Sequence, residues 1–550
     1  MATTVTLAEY LGRRLLQCGV AHVFGVPGDF NLTLLDHMAT VDGLAWVGSP
    51  NELGAGYAAD AYARSRGLAA IVTTYGVGEL SALNAIAGSA AEDVPVVHIA
   101  GSPSTAAVAT GRLVHHTLAD GIFGRFTKAY AEVTVHQETV TAAHATDQID
   151  AVLTAAMRHR RPAYLSIPQD LADLSVDAAP LSRPLTVSPA PSEAFRVRLA
   201  ELLAGATRPV LVVGHLVARF GLGDTVLAAA RAANIPIVTS IAAKGVIDES
   251  EPLHRGDYAG TMVDKRTASI VRTSDLVIEL GTVNSDVLSG FFTHRPSDDQ
   301  VVHLWTTTAT IGHDTPVDVH FPDAVQALAD LCANVRFSPV DDTHTATTAS
   351  SAAVDDHAPL TQAALWTAVQ EWLPSGTALI ADTGTSFWGA MSLRLPEDTV
   401  FSGQPIWSSI GYALPAVLGQ GLADPERRPV LVIGDGAAQM TVQELSTIAA
   451  AGLKPVVLLL NNNGYTIERA LQSPDAAYND VAEWDWANLV TALAGDKVDY
   501  HRAETAADLR HAFSATGDAF TLIEVILDKY DAPPLLRALA ERNSGAPEEN

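Results

Sequence analysis

The most constraining feature of the chain is a rhythm of short apolar runs, none alternating with polar residues, each followed by a stretch of helical period. Ala70–Thr74 and Val96–Ala100 flank a small-residue helix pattern from Leu80 to Ala91. Val210–Val213, Ile235–Val238 and Leu276–Leu280 repeat the habit, and Val430–Ile433 and Val456–Leu460 flank another helix pattern. Strands apolar on both faces belong in parallel sheets, because the crossovers between parallel strands are helices that cover both sides. Two helix starts are legible. Thr6-Leu-Ala-Glu9 reads as a capping box opening a helix that stops at Gly19, and Thr441-Val-Gln-Glu444 as a second box opening a helix that stops at Gly452. At about 150 residues per domain, 550 residues imply three or four domains. Residues 173–193, with Pro180, Pro184, Pro189 and Pro191, and the Ser/Thr/Ala/Asp run of 338–358 read as linkers. They cut the chain into 1–175, 190–337 and 358–550. The expected fold class is α/β, three doubly wound parallel-sheet domains, with no short-period repeat.

Composition narrows the class. Asp plus Glu number 62 against 34 Lys plus Arg, a formal charge of −28 that repels phosphate backbones and argues against nucleic-acid binding. A hydrophobic share of 48% suits large cores, and no apolar run approaches the roughly 18 residues of a membrane span. Two cysteines, Cys18 and Cys332, lie far apart and outside any CxxC, which excludes a disulfide framework and a cysteine zinc site. The first residues show no basic-then-apolar leader. A cytoplasmic protein is expected.

The chemistry begins at Gly434-Asp435-Gly436, between an apolar strand and a helix pattern, where parallel sheets place ligands. Glycine lets backbone approach closely, a helix start offers N–H groups to an anion, and Asp435 can hold a hard cation against phosphate oxygens. The next strand ends in Asn461-Asn462-Asn463-Gly464-Tyr465, with Asn462 27 positions after Asp435. One helix and one strand fill that interval, so both side chains emerge at the same sheet edge. A carboxylate, an amide oxygen, a loop carbonyl and diphosphate oxygens would make the all-oxygen site that Mg²⁺ prefers. Taken singly, each motif also reads as an ordinary turn.

Together, G-D-G and N-N-x-G-Y at this spacing resemble the diphosphate and metal motif of thiamine diphosphate enzymes. Six further segments resemble the 2-oxo acid decarboxylase branch: Gly25-Val-Pro-Gly-Asp29-Phe-Asn31, Asn51-Glu52-Leu53, Thr74-Tyr-Gly-Val-Gly78, His115-His116, Trp407-Ser-Ser-Ile-Gly411 and Tyr465-Thr-Ile-Glu468. The resemblance implies a pyrimidine-binding domain at 1–175, a central α/β domain at 190–337, and a diphosphate- and Mg²⁺-binding domain at 358–550. It implies metal ligation by Asp435, Asn462 and Gly464. Diphosphate contacts would come from Gly436 and Ala437 and from Thr383 and Thr385 in Ala381-Asp-Thr-Gly-Thr-Ser386. Glu52 would hydrogen-bond a ring nitrogen of the cofactor so that the cofactor's own amino group deprotonates its thiazolium carbon. Ser408 would give a backbone carbonyl to that ring, at a position where many members have Gly, and Ile410 would prop the cofactor in a bent form.

Asp29, His115, His116 and Glu468 form the implied proton-transfer set. After CO₂ leaves, carbon must be protonated and an alcohol proton removed, work that suits imidazoles. A zinc reading of the adjacent histidines is poor, because neighbours chelate less readily than an i, i+4 pair. The implied reaction is non-oxidative decarboxylation of a 2-oxo acid to aldehyde and CO₂, with Asp29, His115 and His116 from one subunit and Glu468 from its partner. A homodimer is then the smallest active unit, and the family is commonly tetrameric. Phe387, Ile467 and Leu471 would line the substrate pocket. The segment Asp531-Ala-Pro-Pro-Leu-Leu-Arg-Ala-Leu539 looks more like indolepyruvate and broad-range enzymes than pyruvate enzymes. An aromatic or long-chain substrate is favoured, with pyruvate decarboxylase and an acetohydroxyacid synthase-like carboligase as alternatives. Outside catalysis, the same domains would make a nucleotide- or phosphate-binding assembly. Val213-Gly214-His215 is a poor dinucleotide fingerprint, so the middle part reads as structural or regulatory.

Overall fold

A computed structural model describes residues 4–294, 296–339 and 355–543. The chain divides into two units, Met1–Ser188 with Pro415–Pro425, and Pro189–Leu414 with Glu426–Asn550. The first unit is built on a six-stranded sheet ordered Ala45–Gly48, His22–Gly25, Ala69–Thr74, Val96–Ser102, Ala163–Pro168, Gln137–Thr139. Every pairing in it is parallel. Ala69–Thr74 and Val96–Ser102 are buried at every position, which is why they carry no alternation.

The second unit contains two sheets. One has seven strands, ordered His254–Tyr258, Ile237–Ser240, Pro209–Val213, Leu276–Leu280, Val301–Leu304, Thr308–Ile311, Val317–Asp318, and its last two pairings are antiparallel. The other has six parallel strands, ordered Val400–Ser402, Thr377–Ala381, Arg428–Gly434, Val456–Asn461, Phe520–Ile526, Val498–Ala503. Three α/β domains with mostly parallel sheets are therefore present. The two six-stranded sheets share one strand order, second-first-third-fourth-sixth-fifth in their own numbering, a likeness of topology that no sequence period announced.

The first capping box forms as expected. Glu9 N–H donates to the Thr6 hydroxyl at 3.2 Å, Thr6 N–H donates to the Glu9 carboxylate at 3.1 Å, and the helix runs Leu7–Gln17. The second does not. Thr441 is the last residue of a helix spanning Asp435–Thr441, and its hydroxyl donates to Gly411 O at 2.8 Å, so it cannot cap. The following helix, Glu444–Ala450, starts at a helical Gln443 with no side-chain cap. The stretch 173–193 is also more than a linker. Ser175–Asp177 pairs antiparallel with Thr4–Thr6, and the buried Arg14 guanidinium donates to the carbonyls of Pro180 and Arg183 at 3.0 and 2.6 Å. Of the second linker, residues 340–354 lie outside the described residues.

Candidate functional site

In the C-terminal sheet, Thr377–Ala381 and Arg428–Gly434 are neighbours, while the strand between them in sequence lies outside the first. The strands are parallel, but the connections leaving them run to opposite sides of that pair, a switch point that opens a crevice at the carboxyl ends of the strands. The loops that emerge there are Asp382–Gly384 and Gly434–Gly436, with Asn462–Tyr465 from the next strand. Asp435 is 2% exposed and begins its helix; its carboxylate accepts from Gly436 N–H at 2.8 Å and Gly464 N–H at 3.1 Å. Burial pushes its carboxyl up to about 6, while those backbone donors pull the other way.

The Asn462 side chain is equally buried. With its amide turned to satisfy both ends, its nitrogen lies 2.8 Å from Gly464 O and 3.2 Å from Asp435 Oδ1, and its oxygen accepts from Thr466 Oγ1 at 3.0 Å. A half-turn of the amide brings oxygen to the inner position and gathers three oxygens at those spacings. Oxygens on adjacent corners of a Mg²⁺ octahedron, with bonds of about 2.05 Å, sit about 2.9 Å apart. The donor set fits a small hard cation. Gly464, at φ +132°, is required by the close approach of Asn479 O, which a Cβ would meet at 2.0 Å.

Thr385 is buried at the start of the helix Thr385–Ala390, and Thr383 precedes it in the same turn. A Cβ on Gly384 would lie 4.0 Å from Ile467, so this turn borders the helix Thr466–Leu471 that carries exposed Glu468. Ser408 has φ +57°, the left-handed conformation that glycine adopts without strain. Half-buried Ile410 follows, and Gly411 packs against Ala437 and Met440 of the Asp435 helix. Phe387 is buried against Trp388 and Phe401, with ring centroids at 5.5 and 5.9 Å. It shares one apolar cluster with Ile467, Leu471, Leu535, Leu536 and Leu539. The C-terminal helix Pro534–Asn543 packs on both Thr385–Ala390 and Thr466–Leu471.

In the first unit, Glu52 is the first residue of the helix Glu52–Arg66, capped by Asn51, whose side-chain oxygen accepts from Gly54 N–H at 2.7 Å. Its carboxylate lies over Gly78, where a Cβ would come within 3.1 Å. Asp29 and the histidine pair also meet. His115 Nε2 is 2.7 Å from Asp29 Oδ2, and His116 Nε2 is 3.7 Å from Asp29 Oδ1. The ligand atoms of all three lie within 4.8 Å of one another. Both rings of the adjacent pair therefore face one carboxylate. His116 has φ +60°, and that turn swings both rings onto one carboxylate. His115 stacks on Phe30 at 4.9 Å and His116 meets the same ring edge-on at 5.8 Å.

Beside the site motifs, three buried ionisable residues, Asp382, Glu79 and Arg469, escaped the sequence reading. Asp382 accepts from Gly411 N–H at 3.2 Å and Ala413 N–H at 2.9 Å, tying the Ser408–Gly411 loop to the Thr383 turn, and burial pushes its carboxyl to about 7. Glu79 accepts from Gly76 N–H and the Tyr164 hydroxyl, both at 2.7 Å. Arg469 lies beneath the Asn462–Gly464 loop. A charged residue next to a recognised motif was the only available signal, and such residues are usually solvated.

Comparison with known proteins agrees with this layout. Residues 5–123 match the thiamine pyrophosphate enzyme N-terminal TPP binding domain, 197–331 the central domain, and 382–525 the C-terminal TPP binding domain. An alpha-keto-acid decarboxylase of Mycobacterium tuberculosis is 41% identical over 542 residues, 97% of this chain and 96% of its own length. One from Mycobacterium leprae is 39% identical over 541 residues, 97% and 95% of the two chains. The solved structure of the Rhodococcus jostii thiamine diphosphate-dependent 4-hydroxybenzoylformate decarboxylase shares the fold, with TM-score 0.77 over 95% of this chain and 99% of that one at 22% identity. With matches to all three domains and identity sustained over nearly its whole length, the chain belongs to the thiamine pyrophosphate enzymes, among their alpha-keto-acid (2-oxo acid) decarboxylases.

Proposed function

We propose that this decarboxylase acts on aromatic or long-chain 2-oxo acids, such as indolepyruvate or phenylpyruvate, and releases the aldehyde. The observation that carries this reading is the apolar cluster of Phe387, Ile467 and Leu471 with the C-terminal leucines 535, 536 and 539. By resemblance, pyruvate enzymes often carry bulkier aromatic residues in that C-terminal helix, and leucine is smaller than these. An apolar pocket discriminates by only about 1–3 kcal/mol per methylene, so broad acceptance is part of the proposal.

Bound thiamine diphosphate supplies the carbon nucleophile and the electron sink. The protein's contribution is placement and proton movement. Asp435, Asn462 and the Gly464 carbonyl hold Mg²⁺, which the oxygen spacings described above support. Gly436, Ala437, Thr383 and Thr385 would bind the diphosphate, the Ser408 carbonyl would orient the aminopyrimidine, and Ile410 would pack against the cofactor. Glu52 would hydrogen-bond the aminopyrimidine ring and hold the proton that the ring needs. Asp29, His115, His116 and Glu468 move protons after CO₂ has left; the Asp29 carboxylate, 2.7 Å from His115 Nε2, orients that ring. The working assembly is a homodimer, further paired into a homotetramer, with the domain limits given by 1–175, 190–337 and 358–550. A cytoplasmic setting is supported by the two free thiols, Cys18 and Cys332.

The test is a panel of indolepyruvate, phenylpyruvate, a branched-chain 2-oxo acid and pyruvate, with thiamine diphosphate and Mg²⁺, scored for CO₂ and aldehyde together. The expected outcome is a higher kcat/KM for the aromatic acids than for pyruvate. A clear preference for pyruvate overturns the substrate assignment, and hydroxy-oxo acid as the main product assigns the chain to carboligation.

A further inference from the structure

The cation site depends on a loop with an awkward backbone. Asn463 has φ +54° and Gly464 φ +132°, and two of the three proposed ligands, the Asn462 amide and the Gly464 carbonyl, belong to it. Such a turn keeps its shape only if its surroundings over-determine it. Besides the Asp435 carboxylate, which accepts from Gly464 N–H, one side chain and one turn surround it. Arg469, 2% exposed, donates through Nη2 to Asn463 O at 3.0 Å, Asn479 O at 3.1 Å and Asp480 Oδ1 at 2.7 Å, and through Nη1 to Pro474 O at 3.2 Å. Asn479 O also accepts from Tyr465 N–H at 2.9 Å and is the atom that presses on Gly464. Asn479 is itself fully buried, its amide donating to Ser473 O at 3.0 Å.

We propose that Arg469 is a positioning residue for the divalent cation: its guanidinium clamps the Asn463 carbonyl to the 474–480 turn and so sets the Gly464 carbonyl and the Asn462 amide on the metal. The inference rests on the reading of Asp435, Asn462 and Gly464 as the Mg²⁺ site, and it assigns the loop's geometry to a residue that never touches the ion. A planar fork with several donors can bridge two loops, whereas an ammonium reaches them as a single point. Groups that orient metal ligands typically cost 10- to 100-fold in metal affinity when removed.

The experiment compares the full-length wild type with Arg469→Met and Arg469→Lys. Mg²⁺ is titrated at saturating thiamine diphosphate, with binding followed by intrinsic tryptophan fluorescence and calorimetry, and kcat is measured at saturating Mg²⁺. The half-saturating Mg²⁺ concentration is expected to rise about 10- to 100-fold in Arg469→Met and less in Arg469→Lys, with kcat changing less than the half-saturation does. The Lys variant keeps the charge and guards against a Met variant that fails to fold. Half-saturation within twofold of wild type in the folded variants overturns the assignment, including when their thermal midpoints fall, because that pattern marks a merely structural arginine. If the wild type binds thiamine diphosphate equally well without a divalent cation, the metal reading fails, and this inference with it.

Discussion

Glu79 is sealed among three tyrosines and a histidine. Its carboxylate accepts from Gly76 N–H and the Tyr164 hydroxyl, and the Tyr130 hydroxyl donates to its backbone carbonyl at 2.5 Å. Tyr130 and Tyr164 stack at 4.6 Å with His98 packed against both, and Tyr75 lies at the turn beside it. Burial pushes the Glu79 carboxyl from 4.5 to about 7, and the two hydrogen bonds offset part of that. A carboxyl raised on folding holds its proton longer in the native state than in the unfolded chain. Native stability from this group is therefore fully present below about 4.5 and is lost as pH rises through about 7, a loss on the order of 3 kcal/mol. In Glu79→Gln that dependence is absent, so thermal midpoints measured from pH 5 to 8 should fall less steeply than those of wild type; parallel curves would show that Glu79 does not titrate there. Glu52, Asp435 and the histidine pair were legible because their chemistry resides in the side chain itself. Glu79, Asp382 and Arg469 were not, because what makes them unusual is burial, which a one-dimensional string does not record.

Among the elements, the turn after Ala69–Thr74 governs the most. Tyr75, Phe30 and Phe126 form a small apolar cluster with Val114 packed on it, and the Tyr75 hydroxyl donates to Phe123 O. Gly76, at φ +65°, lies directly against His116 O, where a Cβ would approach to 2.0 Å. The segment that carries His115 and His116 thus rests on a surface only glycine can supply. Gly76→Ala is expected to lower kcat at least tenfold while leaving the affinity for thiamine diphosphate and Mg²⁺ unchanged, as read by steady-state kinetics and a cofactor titration. Normal turnover would mean that the histidines do not depend on this contact. The second capping box shows the converse error. Thr441 and Glu444 have the right spacing, but the carbonyl of Gly411, 30 positions earlier, takes the threonine hydroxyl first.

At the scale of the whole molecule, two sheets with one strand order each present a row of loops at the carboxyl ends of their strands. The first carries Asp29, Glu52 and the 74–78 turn, and the second carries Thr383, Asp435 and Asn462. Under the proposed assembly, each active site joins the first row of one subunit to the second row of its partner. Co-expressing Glu52→Gln with Asp435→Ala then tests the sharing. Each mixed dimer holds one intact site and one doubly damaged site, so random assortment restores about a quarter of wild-type activity, although each variant alone is nearly inactive. No restoration would assign each site to a single chain. Sedimentation of the mixed sample reports whether dimers form at all.

The amino-acid sequence by itself determined the period of each segment, hence the α/β class, and it singled out the candidate groups of the proposed site, because side-chain pattern and side-chain type are local properties. The 27-position spacing from Asp435 to Asn462 was enough to bring two side chains to one sheet edge, although two short helices, Asp435–Thr441 and Glu444–Ala450, and not one, fill it together with the strand Val456–Asn461. Only the tertiary structure decided the strand order that opens each crevice, the turn of His116 that brings two neighbouring imidazoles to one carboxylate, and the arginine beneath the cation loop. Those outcomes depend on which donor meets which acceptor across long stretches of chain and on what is excluded from water. Both are settled by packing and not by the residues on either side.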